Sequence, residues 1–103
     1  MTKQAKALLR WFVPLPESGV SPRGRRFSLP AKFDHQGDDW IKNAWSLVIE
    51  SDARSDPRGV QEVRVHFLVP NAPTEWLVRG RRFTLHEGPR PVAEGEIVEV
   101  HAG

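Results

Sequence analysis

Hydrophobic and polar residues alternate along this chain in short runs. Ala7, Leu9, Trp11 and Val13 occupy odd positions with Lys6 and Arg10 between them. Ile41, Trp45, Leu47 and Ile49 repeat the pattern, broken only at Asn43. Val63, Val65, Phe67 and Val69 alternate with Arg64 and His66, and Phe83 and Leu85 alternate with Arg82, Thr84 and His86. A period of two places every second side chain on one face of a strand, so these runs predict β-strands with one buried side. Two more strands are predicted over 26–34, where Pro30 interrupts, and over 92–101, where Gly95 suggests a bulge. Proline and glycine recur too often for any long helix.

The intervening segments carry turn chemistry: "LPESGVSPRG", "DHQGDD", "SDARSDPRG", "PNAPTE" and "EGPR". In the last of these, Gly88 suits a positive φ and Pro89 fixes the next one. Six such strands predict an all-β fold, a six-stranded antiparallel closed barrel, because closure removes the exposed edges of an open sheet.

Composition narrows the class. The chain has 103 residues, the size of one domain, 1–103. Four tryptophans and five phenylalanines supply large buried surfaces for a core of this size. Cysteine is absent, which excludes disulfides and thiolate zinc sites. The apolar run near the start is short and interrupted by lysine and arginine, unlike a signal peptide, and no stretch approaches the roughly 20 apolar residues of a spanning helix. These features lead to the expectation of a cytoplasmic protein with no membrane partner. A net charge of +2 favours nucleic acid only weakly.

The arrangement of charge says more than its sum. "SPRGRRFSLP" and "LVRGRRFTLH" share Arg-Gly-Arg-Arg-Phe-Ser/Thr-Leu, and the two copies hold Arg23, Arg25, Arg26, Arg79, Arg81 and Arg82. The copies read as two strand starts with arginine-rich turns on a barrel rim. They also read as a phosphate grip, since the arginine fork matches phosphate oxygens. Acidic residues at 34–39 and 94–99 are the natural ion-pair partners in the first reading.

Residues 80–98, "GRRFTLHEGPRPVAEGEIV", resemble the C-terminal hairpin of the third domain of elongation factor Tu. Gly80, Arg82, Phe83, Leu85, Glu87, Gly88, Arg90, Val92 and Gly95 fall in register with that family's pattern. "EVRVHFLVPNA" resembles the preceding family strand, and "AKALLRWFVPLPESG" its first strand and acidic-glycine loop. The chain departs from the family in about four extra residues between Ala72 and Gly80, Trp76 among them, and in Pro89. It also lacks a phosphate loop, and with it the GTPase domain and any nucleotide site.

The resemblance implies the translation-elongation-factor C-terminal-domain-like barrel and a surface that docks tRNA or another structured RNA. On that reading Glu87 and Gly88 carry over directly and Arg23 and Lys32 more loosely, with Arg25, Arg26 and Arg81 contacting the phosphate backbone. The alternative is a protein-interaction module using loop aromatics, Trp76 and Trp40, as anchors. For Trp76 the favoured expectation is a plug for one barrel end, ahead of a partner anchor. No catalytic residues are expected, because no nucleophile elbow, carboxylate pair or phosphate loop is present. No metal is expected, because His35, His66, His86 and His101 lack ligand spacing, and no other cofactor is implied. His66 and His86 are expected to face one outer surface from neighbouring strands.

Overall fold

A computed structural model describes residues 3–12, 26–38, 40–51 and 59–101. Six strands form: β1 (Gln4–Trp11), β2 (Arg26–Phe33), β3 (Trp45–Ser51), β4 (Val60–Phe67), β5 (Arg82–Glu87) and β6 (Arg90–His101). They close into an all-antiparallel barrel in the order β1-β4-β3-β2-β5-β6, with β6 returning to β1. The expected closed barrel is therefore the fold, and the predicted segment carrying Pro30 is a true strand.

The interior follows the period-two pattern. Ala5, Ala7, Leu9 and Trp11 point inward from β1, and Val63, Val65 and Phe67 from β4. Phe33 is fully buried, and its ring lies 5.8 Å from both Phe67 and Phe83 and 5.4 Å from Trp76. Small residues make room for these rings: Ala31, Ala93 and Gly95 are all inward-facing on β2 and β6. Alternating small and large side chains in this way fills a narrow barrel.

Gly95 is not the bulge that the sequence suggested. It pairs in register with Leu9 on one side and Phe83 on the other. A Cβ built there would come within 2.5 Å of the tip of the Phe83 ring, so the glycine's missing side chain leaves room for that ring. The irregularities of β6 fall elsewhere. Leu85 pairs with Ala93 but His86 with Pro91, leaving Val92 as the extra residue. Lys6 pairs with Glu99 but Ala7 with Ile97, leaving Val98 as the second. Two bulges in the longest strand let it bend around the barrel.

The hairpin between β5 and β6 closes through Gly88 and Pro89, with Glu87 opposite Arg90. Gly88 has φ +60°, and proline holds its own φ negative, which excludes a type I′ turn and leaves type II′.

The strand expected over 41–49 begins late. Trp40–Asn43 is a short 3-10 helix, and β3 starts only at Trp45. Ile41, read as an inward residue, is 63% exposed. The broken alternation at Asn43 marked this boundary. Val69, likewise, lies beyond β4 and is exposed with Leu68.

The barrel has two distinguishable ends. At one, Trp11 packs on Phe27 at 5.5 Å and its indole N–H donates to Gln61 Oε1 at 3.1 Å. At the other, the connection from β4 to β5 folds back as a second 3-10 helix, Thr74–Trp76, and inserts the fully buried Leu77 into the core. Gly80 N–H donates to Ile97 O at 2.7 Å and Ile97 N–H to Arg81 O at 2.9 Å, which latches this loop to β6.

Candidate functional site

The arginine repeats resolve first. Arg26 opens β2 and Arg82 opens β5, so the shared motif does mark strand starts. The two strands are antiparallel neighbours, with Phe33 opposite Phe83. Their starts therefore lie at opposite rims: Arg26 beside Glu50, Arg81 and Arg82 beside Asp34. At about 3.3 Å per residue, the length of β2 separates them by roughly 23 Å. Arg23 and Arg25 lie outside the described residues.

Four described cations, Lys6, Arg10, Arg81 and Arg82, are paired with carboxylates. Arg10 bonds Glu94, Arg82 bonds Glu96 at 3.2 Å, and Arg81 meets Asp34 at 3.5 Å. Lys6 lies between Glu62 at 3.5 Å and Glu99 at 3.8 Å. A groove of about 670 Å³ crosses the outer faces of β1, β6, β5 and β2. Its charged lining is Arg10, Lys32 and Arg82 against Asp34, Glu94 and Glu96, three of each sign. Such a balance gives little pull on a polyanion. A smaller groove of about 430 Å³ on the Arg26 rim is lined by Lys6, Arg26 and Arg64 against Glu50 and Glu62, one positive charge in excess. Glu87 and Gly88 form an exposed turn.

The histidines divide differently from the expectation. His66 is on β4 and His86 on β5, which are not neighbours in the barrel. His66 Nδ1 lies 3.8 Å from Glu50. His86 is buried beneath Trp40, ring centroids 4.4 Å apart, and its Nε2 is 2.8 Å from Thr84 Oγ1. Its Nδ1 has no hydrogen-bond partner among the described residues. Burial holds its pKa below the ordinary value; the Pro89 backbone offsets part of this by favouring the charged form, and the Lys32 ammonium adds to the depression.

The Leu77 end gathers aromatic residues from separate segments. A pocket of about 360 Å³ is lined by His35, Gln36, Trp40, Trp45, Glu75 and Trp76, with Gly37 and Pro73 completing it. Trp76 is half-buried. Its ring meets Phe33 edge-on at 5.4 Å and His35 at 4.5 Å. It thus plugs the barrel with one part of its surface and lines the pocket with another. Trp40 is mostly covered and contributes a wall. His35 is fixed by Arg81, whose guanidinium donates to His35 Nδ1 at 2.7 Å; arginine has no acceptor, so the ring proton is on Nε2. Gln36 Oε1 accepts from Phe33 N–H at 2.9 Å, which pins the turn after β2.

Of these lining residues, the sequence singled out only Trp40 and Trp76 as loop aromatics. Trp45 read as a strand core position and His35 as a surface histidine. Glu75 and the plug Leu77 carried no signal of their own. The clustering of tryptophan on either side of two loops was the only available hint.

Among the described residues, no group of three or more His, Asp or Glu is arranged to hold a metal ion. No described helix is long and apolar enough to cross a membrane. No protein-family model matches the chain, and neither a curated protein nor a solved structure does.

Proposed function

We propose that this barrel is a non-catalytic binding module whose working surface is the aromatic end, and that its partner is a protein. The observation that carries this reading is the pocket walled by Trp40, Trp45 and Trp76. Tryptophans that keep exposed surface beside a rigid core are the residue type that dominates protein recognition, because their burial in a partner releases much water at little entropic cost. The pocket rests on the closed barrel through Phe33 and Leu77, so its walls are pre-ordered. Leu68, Val69 and Val78, which flank the same connection, are also exposed apolar residues.

Affinity capture from lysate at low and raised salt tests the reading. A protein partner should be retained at both and lost with Trp76→Ala, provided circular dichroism shows the variant folded. Capture that is indifferent to Trp76→Ala would remove the aromatic end from consideration.

The second reading is the docking of tRNA or another structured RNA, as the elongation-factor resemblance implies. It is favoured by the one-charge positive excess around Lys6, Arg26 and Arg64, with Arg23 and Arg25 just upstream in sequence. Lys32 and Arg81 would contribute less, since Lys32 faces a charge-balanced groove and Arg81 is tied to Asp34 and His35. RNA retained on a filter at low salt and released steeply as salt rises supports this reading.

A further inference from the structure

The aromatic pocket carries enough chemistry to specify its ligand. Its walls are three indoles and the imidazole of His35, which is tied to Arg81. Indole faces are negative by virtue of the ring quadrupole and attract cations. Among the described residues, the one charged side chain in the lining is the exposed Glu75, also negative. Asp38, in the turn that leads to Trp40, adds a second carboxylate nearby in the chain. Arg81, whose guanidinium bonds His35 of the lining, is itself outside the lining and is also engaged by Asp34. A phosphate or carboxylate ligand would be repelled by the Glu75 carboxylate, whereas a cation meets indole rings and a carboxylate, both of which attract it.

Acceptor count narrows the choice among cations. A lysine ammonium presents three donors and a guanidinium five, and each needs an acceptor when removed from water. Here Gln36 Oε1 already accepts from Phe33 N–H, and Glu75 is the one carboxylate among the described lining residues. A quaternary ammonium has no donors to satisfy, is weakly hydrated and presents methyl groups to apolar walls.

We propose that the pocket lined by Trp40, Trp45, Trp76 and Glu75 binds a quaternary ammonium group, in the form of a trimethylated lysine side chain of a protein partner. The inference rests on the aromatic end being the working surface and adds what that surface selects. The phosphate of a phosphocholine headgroup, the other common source of this group, would be repelled by Glu75.

Tryptophan fluorescence titrations with Nα-acetyl-trimethyllysine methylamide test it, beside the neutral carbon isostere, unmethylated lysine amide and phosphocholine. The trimethyllysine probe should saturate, and the isostere should bind about tenfold more weakly, the difference a cation–π site makes. Lysine amide and phosphocholine should also be weaker. Glu75→Gln, at an exposed position that leaves the core untouched, should weaken the trimethyllysine probe severalfold without changing the isostere. Equal affinity for probe and isostere, tighter binding of phosphocholine, or no saturation by the trimethyllysine probe each overturns the proposal. If Trp76-dependent protein capture persists in any of those cases, the protein-binding reading stands and only the cation is wrong.

Discussion

Gly95 leaves the space that the Phe83 ring occupies. Replacing the glycine by alanine puts a methyl group where the ring lies, at 2.5 Å from its nearest carbon. The ring is enclosed by Phe33 and cannot swing away freely. Gly95→Ala should therefore cost about 1–3 kcal/mol, the usual range for overpacking, read as a lowered urea midpoint at unchanged m. Adding Phe83→Leu should recover part of that loss, since the two residues share one space. His86 makes a pH prediction. Its folded-state pKa is depressed, so the unfolded chain binds the proton more readily. The stability it contributes is complete above the ordinary histidine value near 6.5 and is lost as pH falls below that value toward the depressed one. Denaturation midpoints should fall through this window, and His86→Gln should flatten that part of the profile.

At the scale of elements, the β4–β5 connection is the part whose structure most affects function. It closes the barrel with Leu77 and shapes the pocket with Trp76. Leu77→Ala opens a cavity at the barrel end and should cost about 2–5 kcal/mol, with the loss showing as early hydrogen exchange at Gly80 and Ile97, whose amides hold the latch. The β5 strand and the reversal at Gly88-Pro89 were legible in the sequence, because Phe83 and Leu85 alternate with polar residues and Gly-Pro marks a turn, but the register of β6 was not. Nor was the start of β3. Ile41 is apolar and in phase with the later strand, and only Asn43 signalled that the chain bends there. The bulges at Val92 and Val98 were also hidden, since an extra valine keeps a strand-like composition while shifting the pairing.

Across the whole molecule, closure decides which residues meet. The duplicated arginine motif looks like a single feature in sequence, yet antiparallel pairing of β2 and β5 sends its copies to opposite rims. The pocket is the converse. Its residues come from the turn after β2, the 3-10 segment before β3, the first residue of β3 and the β4–β5 connection, and no spacing in the sequence predicts their meeting. Charge follows the same logic. A mild net excess of +2 is divided among paired groups on the wall, leaving one rim slightly positive and the aromatic end with a carboxylate.

The four tryptophans provide a direct test, because one of them is a built-in control. Trp11 sits at the far end, bonded to Gln61, while Trp40, Trp45 and Trp76 line the pocket. Four indole N–H resonances should be followed while the protein fraction retained by affinity capture is added. The account predicts that the three pocket signals move and that of Trp11 stays. Movement of the Trp11 signal with the other three unchanged would place the partner on the opposite rim and contradict it.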